Sequence, residues 1–366
     1  MTTRPKVDTI LVTIARELPA SCLDQLRTVA RQVHCYPAND PPASVLATAT
    51  VLFCSIRGLP ASVTSLSQQM PKLRLIQLVS AGVDQLLTSP AFDQVDDPVR
   101  RGIMVANSSG THVPTIPPYV FATVVMLYMR LHTQYLNAAT RAAWIDDLPN
   151  PDGSPYFARS VRGRTVGLLG YGSLGRETAR LFGAAGARII AANTTGQRTK
   201  DDGYVIPGTG DVECLLPEHV YSTADEDDMA SFLSRCDILV ASLPSTAKTR
   251  YMLEDRHFRL LPRDAVFVNV GRGDVARSSV LLAALERHAD DGNGPLLGLV
   301  ADVTDPEPLP AGHPLYTHPN AIITPHLSGT AGDEEYRIAT DICRVNVKRL
   351  AEGKPCLNLV DVSMGY

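Results

Sequence analysis

The most constraining feature of this chain is a run of six residues, Gly170-Tyr171-Gly172-Ser173-Leu174-Gly175, set between an apolar, β-branched stretch (165–169) and a helix-forming stretch that begins Arg176-Glu177-Thr178-Ala179. In the order strand, glycine turn, helix, each glycine has a use. Gly170 permits a tight turn, Gly172 lets the backbone approach a diphosphate, and Gly175 lets the helix pack closely on the strand. The helix N-terminus then offers amides to phosphate, so Tyr171, Ser173 and Leu174 are expected to line the same cofactor turn. A second strand at 188–192 completes a βαβ unit. A chain built around such a unit is α/β with a parallel sheet.

The residue after that second strand decides which dinucleotide fits. A carboxylate there would grip the free ribose hydroxyls of NAD, but this chain has Asn193, followed by Thr194, Thr195 and Arg198. Hydroxyls and a guanidinium suit a 2′-phosphate, which favours NADP(H) over NAD(H). In the alternative reading, Arg198 simply begins a solvated insertion. The region 196–222 is rich in Gly, Pro and Asp, has no clean period, and is long enough to be either functional or loosely ordered.

At 366 residues with 45% apolar side chains, the chain can fill two cores. Strand-like runs at 9–13, 51–54, 73–79 and 103–106 precede the glycine turn, and others at 165–169, 188–192, 238–242, 266–270, 298–300 and 321–324 surround or follow it. The expected architecture is two Rossmann-like or flavodoxin-like domains with parallel sheets and an active site in the cleft between them. The first is discontinuous (1–108 plus 329–366) and encloses a cofactor domain (109–328). Val120, Val124, Leu127, Leu131 and Tyr135 fall at helical spacing and predict one linking helix over 118–136, and an amphipathic helix is expected over 333–350.

The formal charge of −4 comes without a basic stripe, acidic tail or bilayer-length apolar run, so neither nucleic acid nor membrane is the expected partner. With no signal-peptide core at the N-terminus, a soluble cytoplasmic protein is expected. Seven scattered cysteines, never in a Cys-x-x-Cys arrangement, read as buried reduced thiols, and no metal is expected.

Three more motifs each begin where a predicted strand ends: Asn269-Val270-Gly271-Arg272-Gly273, then Asp302 through Glu307, then Thr324-Pro325-His326. The carboxyl ends of parallel strands form the ligand crevice, so Arg272, Glu307 and His326 should converge there. Arg presents a rigid fork to a carboxylate. His passes a proton near neutrality, and an adjacent Glu favours its protonated form and orients it. That set suits a 2-keto acid.

Together with Ser80-Ala81-Gly82-Val83-Asp84, the 102–107 crossover, Ser242-Leu243-Pro244-Ser245-Thr246 and Thr249-Arg250-Tyr251-Met252-Leu253, these motifs make the chain resemble the D-isomer-specific 2-hydroxyacid dehydrogenase family, which includes glyoxylate and hydroxypyruvate reductases. The resemblance runs over most of the sequence, from Val51 to Leu350. It implies that Arg272 binds the substrate carboxylate and keto oxygen, that Glu307 supports His326 as acid/base, and that Asp302 holds the nicotinamide carboxamide. The turn Ser80-Ala81-Gly82 would offer backbone amides to the substrate carboxylate. Leu243, Pro244, Thr249, Val270, Gly271 and Gly329 would border the cofactor.

Arg57 and Trp144 are candidates for lining the substrate pocket, against readings as a solvated loop charge and an interface or core anchor. Relatives pair through the linking helix, so a homodimer is expected. Where many relatives carry a Glu in that helix, this chain has Pro117-Pro118-Tyr119, so the helix should start later or bend there. Glu307 argues against a formate dehydrogenase, which pairs its His with Gln, and the length argues against a phosphoglycerate dehydrogenase with a regulatory extension. In a different class, the same fold serves nicotinamide-sensing corepressors that bind peptide partners.

Overall fold

The β-branched runs form two parallel sheets in the computed structural model, which describes residues 6–37, 40–93, 102–145, 149, 155–287 and 294–362. The first holds β1 (Val7–Thr13), β2 (Ala30–Cys35), β3 (Val51–Cys54), β4 (Leu75–Leu78) and β5 (Met104–Ala106), in the order β2-β1-β3-β4-β5. The second holds β6 (Thr165–Leu169), β7 (Arg188–Asn193), β8 (Val220–Ser222), β9 (Ile238–Ala241), β10 (Val266–Asn269), β11 (Gly298–Ala301) and β12 (Ala321–Ile323), in the order β12-β11-β10-β9-β6-β7-β8. Strands β3, β4, β6, β9, β10 and β11 are buried at every position. Helices cover both faces of such sheets, which is why these strands are continuous apolar runs rather than alternating ones.

The chain divides into two compact units. One comprises Met1–His112, Asp202–Tyr204 and Thr330–Tyr366; the other comprises Val113–Asp201 and Val205–Gly329. The assignment of residues 202–204 to the first unit was not anticipated. There Tyr204 donates its hydroxyl to Asp341 Oδ2 (2.7 Å) and its amide to Asn358 Oδ1 (2.9 Å). The helix Asp333–Ala351 also belongs to this unit.

Two strands escaped the sequence pattern. In β2, a polar edge strand, one position of six is buried, and the helix Ala20–Val29 runs straight into it without a turn. Strand β8 is a three-residue edge strand at the end of the insertion. Cys35, in β2, is exposed, whereas the other six cysteines are buried; all seven are free.

The linking helix departs from expectation at both ends. It begins earlier, at Ile116, because Pro117 and Pro118 fall in the first turn, where no intrahelical N–H is required. It also stops at Tyr128, and a second helix spans Leu131–Arg141. The Tyr128 carbonyl is taken by the Tyr156 hydroxyl (2.5 Å) and the Arg159 amide (3.0 Å), and Arg130 turns left-handed (φ 51°). The apolar spacing that continues through Leu131 and Tyr135 therefore lies outside the core: Tyr135 is 77% exposed, and no residue of the second helix is buried.

The insertion is anchored rather than loose. Arg176, buried on the helix Ser173–Ala184, donates to the carbonyls of Asp211 (2.6 Å) and Thr199 (2.7 Å), and Glu177 accepts from the Gly210 amide (2.7 Å). Two charged groups, buried and fully engaged, thus tie 199–211 to the helix of the glycine turn.

Candidate functional site

All recorded pairs in the seven-stranded sheet are parallel, so the carboxyl ends of its strands share one edge. Strand β6 lies between β7 and β9, where the direction of chain progression reverses. Open α/β sheets bind ligands at such a switch point, and the glycine turn follows β6.

Each glycine of the turn has a visible reason. Gly170 is left-handed (φ +95°), a conformation that L side chains rarely adopt. A Cβ on Gly175 would lie 2.4 Å from the Gly170 carbonyl oxygen, so no side chain fits between helix and turn. At Gly172 a Cβ would meet nothing within 4 Å, and the helix Ser173–Ala184 starts there without a side-chain cap. Open space before an uncapped helix start is what a diphosphate requires. Tyr171 serves a different purpose, since its hydroxyl donates to Asp211 Oδ2 (2.7 Å) and the Arg176 guanidinium lies over its ring. Burial first, then the Asp211 carboxylate, pushes the Tyr171 phenol well above its ordinary value. Burial works to raise the Asp211 carboxyl, but the Tyr171 hydroxyl and the amides of Leu215 and Leu216 outweigh it and hold that carboxyl low. The tyrosine braces the insertion against the turn.

At the end of β7 the polar groups are engaged locally. Asn193 Oδ1 accepts from the amides of Thr195 (3.0 Å) and Gly196 (2.8 Å), while its Nδ2 donates to the Gln197 carbonyl (2.8 Å). Arg198 donates to the carbonyls of Cys214 (2.5 Å), Pro217 (2.5 Å) and Glu218 (3.2 Å). Its guanidinium closes the base of the insertion. Thr194 and Thr195 are exposed.

Leu243 lies between two turns. A Cβ on Gly170 would be 3.0 Å from its Cδ2, and one on Gly271 would be 2.6 Å from its backbone N and O, so the ends of β6, β9 and β10 converge on it. Thr249 closes the loop beyond by donating to the Pro244 carbonyl (2.6 Å). Asn269 shapes the turn Val270-Gly271-Arg272: its Nδ2 donates to the Arg272 carbonyl (2.9 Å) and its Oδ1 accepts from the Gly271 amide (3.2 Å). A Cβ on Gly273 would lie 1.8 Å from the Thr304 carbonyl oxygen, so the Arg272 turn lies directly on the strand-end loop of β11. Arg272 itself is half-buried and donates to the Gly271 carbonyl (3.0 Å).

His326 and Glu307 meet, with imidazole Nδ1 2.7 Å from carboxylate Oε1. Both side chains are exposed, so the ring is held on one side and open on others. His326 has φ +52°, a left-handed conformation uncommon for a residue with a Cβ. Beneath it lies Asp302, 2% exposed. Asp302 Oδ1 accepts from the Thr324 hydroxyl (2.5 Å) and the Leu327 amide (3.0 Å); Oδ2 accepts from the Ser328 amide (3.1 Å) and hydroxyl (2.5 Å). A carboxylate has about four lone-pair sites, and all are used. These bonds make Asp302 the staple beneath the His326 turn. Gly329 directly follows this turn.

The remaining candidates are on other elements of the chain. Ser80, Ala81 and Gly82 follow β4 in the first unit, where the Ser80 hydroxyl donates to the Gly82 carbonyl (2.9 Å) and the Ser80 carbonyl accepts from the Ser108 amide (2.9 Å). Arg57 is exposed on the turn after β3. Trp144, beyond the helix Leu131–Arg141 of the second unit, is 89% exposed. Tyr119, Thr324, Ser328 and Asn269 acquire a place that motif reading did not assign; the one sequence signal was that Pro117-Pro118-Tyr119 departs from the family pattern.

Residues 122–328 match the family model described as D-isomer specific 2-hydroxyacid dehydrogenase, NAD binding domain. The chain is 30% identical over 294 residues to glyoxylate/hydroxypyruvate reductase A of Photorhabdus laumondii, covering 80% of this chain and 82% of that one. It is 25% identical over 273 residues to glyoxylate reductase of Thermofilum pendens, covering 74% and 69%. Its fold matches that of a D-isomer specific 2-hydroxyacid dehydrogenase from Xanthobacter autotrophicus, solved with NADPH and MES, at TM-score 0.73 and 23% identity over 98% of this chain and all of that one.

Proposed function

Because the chain belongs to the D-isomer specific 2-hydroxyacid dehydrogenase family and is an enzyme that moves a hydride between NAD(P)(H) and a 2-keto acid/D-2-hydroxy acid pair, we propose that it is an NADPH-preferring reductase of a small 2-keto acid such as glyoxylate or hydroxypyruvate. The observation that carries this reading is the His326–Glu307 pair at the same sheet edge as the Arg272 turn. When bound, the nicotinamide cofactor supplies the hydride. Arg272 offers its fork to the substrate carboxylate and polarises the keto oxygen. His326 gives that oxygen a proton from its exposed face, and Glu307 on Nδ1 sets the ring's orientation. In the first unit, the turn Ser80-Ala81-Gly82 carries backbone amides suited to a carboxylate.

The glycine turn and the uncapped helix start fit the cofactor's diphosphate. Preference for NADPH rests on Asn193, which leaves β7 without the carboxylate that would repel a 2′-phosphate, and on the exposed hydroxyls of Thr194 and Thr195. The structurally similar Xanthobacter protein is itself an NADPH complex. The corepressor alternative is not favoured, since the similar proteins carry reductase names. Purified protein given NADPH should reduce glyoxylate or hydroxypyruvate faster than bulkier 2-keto acids, and faster than it does with NADH. Turnover of none of them would overturn the reading.

Two coarser features extend the proposal. Among the described residues no helix is long and apolar enough to cross a membrane, and seven free cysteines suit a reducing compartment such as the cytoplasm. The helix Leu131–Arg141 buries nothing in this chain while exposing Leu131, Tyr135 and Leu136, so it is assigned to a two-fold contact between copies. Light scattering at micromolar concentration should give twice the chain mass.

A further inference from the structure

His326 has a backbone conformation that a residue with a Cβ avoids, and the groups that hold it there form one connected chain of hydrogen bonds. The His326 amide donates to the carbonyls of Asp302 (2.8 Å) and Thr324 (3.0 Å). The Asp302 carboxylate gathers the Thr324 hydroxyl, the Leu327 amide and both donors of Ser328, which bracket His326 on either side. The end of this chain lies on another element, where the Tyr119 hydroxyl is 2.7 Å from Thr324 Oγ1.

A proton inventory sets the direction of that last bond. The Thr324 hydroxyl has one hydrogen, and the carboxylate oxygen 2.5 Å away can only accept it. Thr324 Oγ1 is therefore the acceptor toward Tyr119, and the phenol is the donor. Burial, opposed by the Thr324 bond and reinforced by the Asp302 charge, pushes the phenol up to about 12, so that proton is retained at working pH. Tyr119 lies in the first turns of the helix Ile116–Tyr128, one of whose faces is packed into the core by Val120 and Val124. The hydroxyl is thus presented from a fixed support.

We propose that Tyr119 and Thr324 are positioning residues: the relay from the Tyr119 hydroxyl through Thr324 to the Asp302 carboxylate holds the 324–328 turn in the geometry that places the His326 imidazole against Glu307. The role of His326 rests on the function proposed above; its positioning by the relay does not. Glu307 is the titratable group within hydrogen-bonding distance of the ring, Asp302 lies beneath the turn, and Tyr119 lies beyond Thr324.

The test uses the intact protein labelled at histidine. The Cε1–Hε1 NMR signal of His326, assigned by its loss in His326→Gln, is followed in Tyr119→Phe, Thr324→Val and Thr324→Ser. Turnover of glyoxylate with NADPH is measured in parallel. Tyr119→Phe and Thr324→Val should displace or broaden the His326 signal and lower kcat by about five- to fiftyfold, with the KM for NADPH changed less than about twofold, while Thr324→Ser keeps both near wild type. A purely structural role would lower Tm and leave the signal and kcat in place, which would overturn the proposal. If Thr324→Val does not fold, Tyr119→Phe decides alone, since it removes one oxygen from a half-buried ring. Should the wild type reduce no keto acid, the function fails, but the NMR comparison still tests the relay.

Discussion

The two halves of the carboxyl edge of the seven-stranded sheet use their polar residues in opposite ways. At the ends of β6 and β7, Tyr171, Asn193 and Arg198 are all engaged by the chain itself, and a Cβ on Gly172 would meet nothing within 4 Å. At the ends of β10 and β12, the His326 ring is exposed and held at Nδ1 by Glu307, Arg272 is half-buried with one guanidinium N–H on the Gly271 carbonyl, and Asn269 and Asp302 are taken up by the chain. On the proposed function, one half would bind through a shaped main chain, and the other would act through side chains held by buried staples. Substitutions should therefore cost activity in the second half and mostly stability in the first.

The largest effect should come from His326→Ala, which removes the positioned acid. Keto-acid reduction should fall by about two to four orders of magnitude in kcat, while NADPH affinity measured by fluorescence stays within a few-fold. A loss smaller than tenfold would remove the second half's claim to act through side chains. Arg272→Ala deletes the fork proposed for the substrate carboxylate; two charged bonds at about 1.5–3 kcal/mol each make about 3–6 kcal/mol, so kcat/KM should drop by roughly two to four orders of magnitude, with much of the loss in KM.

Glu307→Gln keeps the shape and removes the charge. An uncharged partner holds Nδ1 through a weaker hydrogen bond, so the ring is oriented less firmly. The kcat of keto-acid reduction should fall by about tenfold, with the KM for NADPH changed less than about twofold. A kcat within about twofold of wild type would mean that the carboxylate charge adds nothing to the work of His326.

Smaller changes are expected in the first half. Asn193→Asp keeps the acceptor that organises the turn but sets a negative charge where a 2′-phosphate would lie, and should shift the NADPH/NADH ratio of kcat/KM toward NADH by about tenfold. Arg198→Ala removes three bonds to the carbonyls of Cys214, Pro217 and Glu218. It should lower unfolding free energy by about 1–3 kcal/mol, read in urea, and move the cofactor ratio by less than about threefold. A tenfold collapse of that ratio would show that Arg198 leaves its carbonyls to bind phosphate.

Local chemistry by itself determined the family, the two parallel sheets and the glycine turn. Gly170 needs positive φ, Gly175 tolerates no Cβ, and the buried strands are continuous apolar runs, all conditions imposed within a few residues of chain. Edge elements were poorly legible, because β2 and β8 lack the double burial that makes a strand apolar. The break at Arg130 was hidden because the Tyr156 hydroxyl and the Arg159 amide, which take the Tyr128 carbonyl, come from far along the chain.

Tertiary structure alone decided which polar groups are spent. Arg198 and Asp302 read as ligand-binding residues because donors and acceptors are visible in sequence, whereas their partners at 214–218 and at Thr324, Leu327 and Ser328 meet them only when the strand ends converge. Hydrogen-bonding capacity is a property of the residue. Whether any of it remains for a ligand depends on which other parts of the chain the fold brings within 3 Å, and buried groups are satisfied internally first because an unpaired one costs more than most ligands could return.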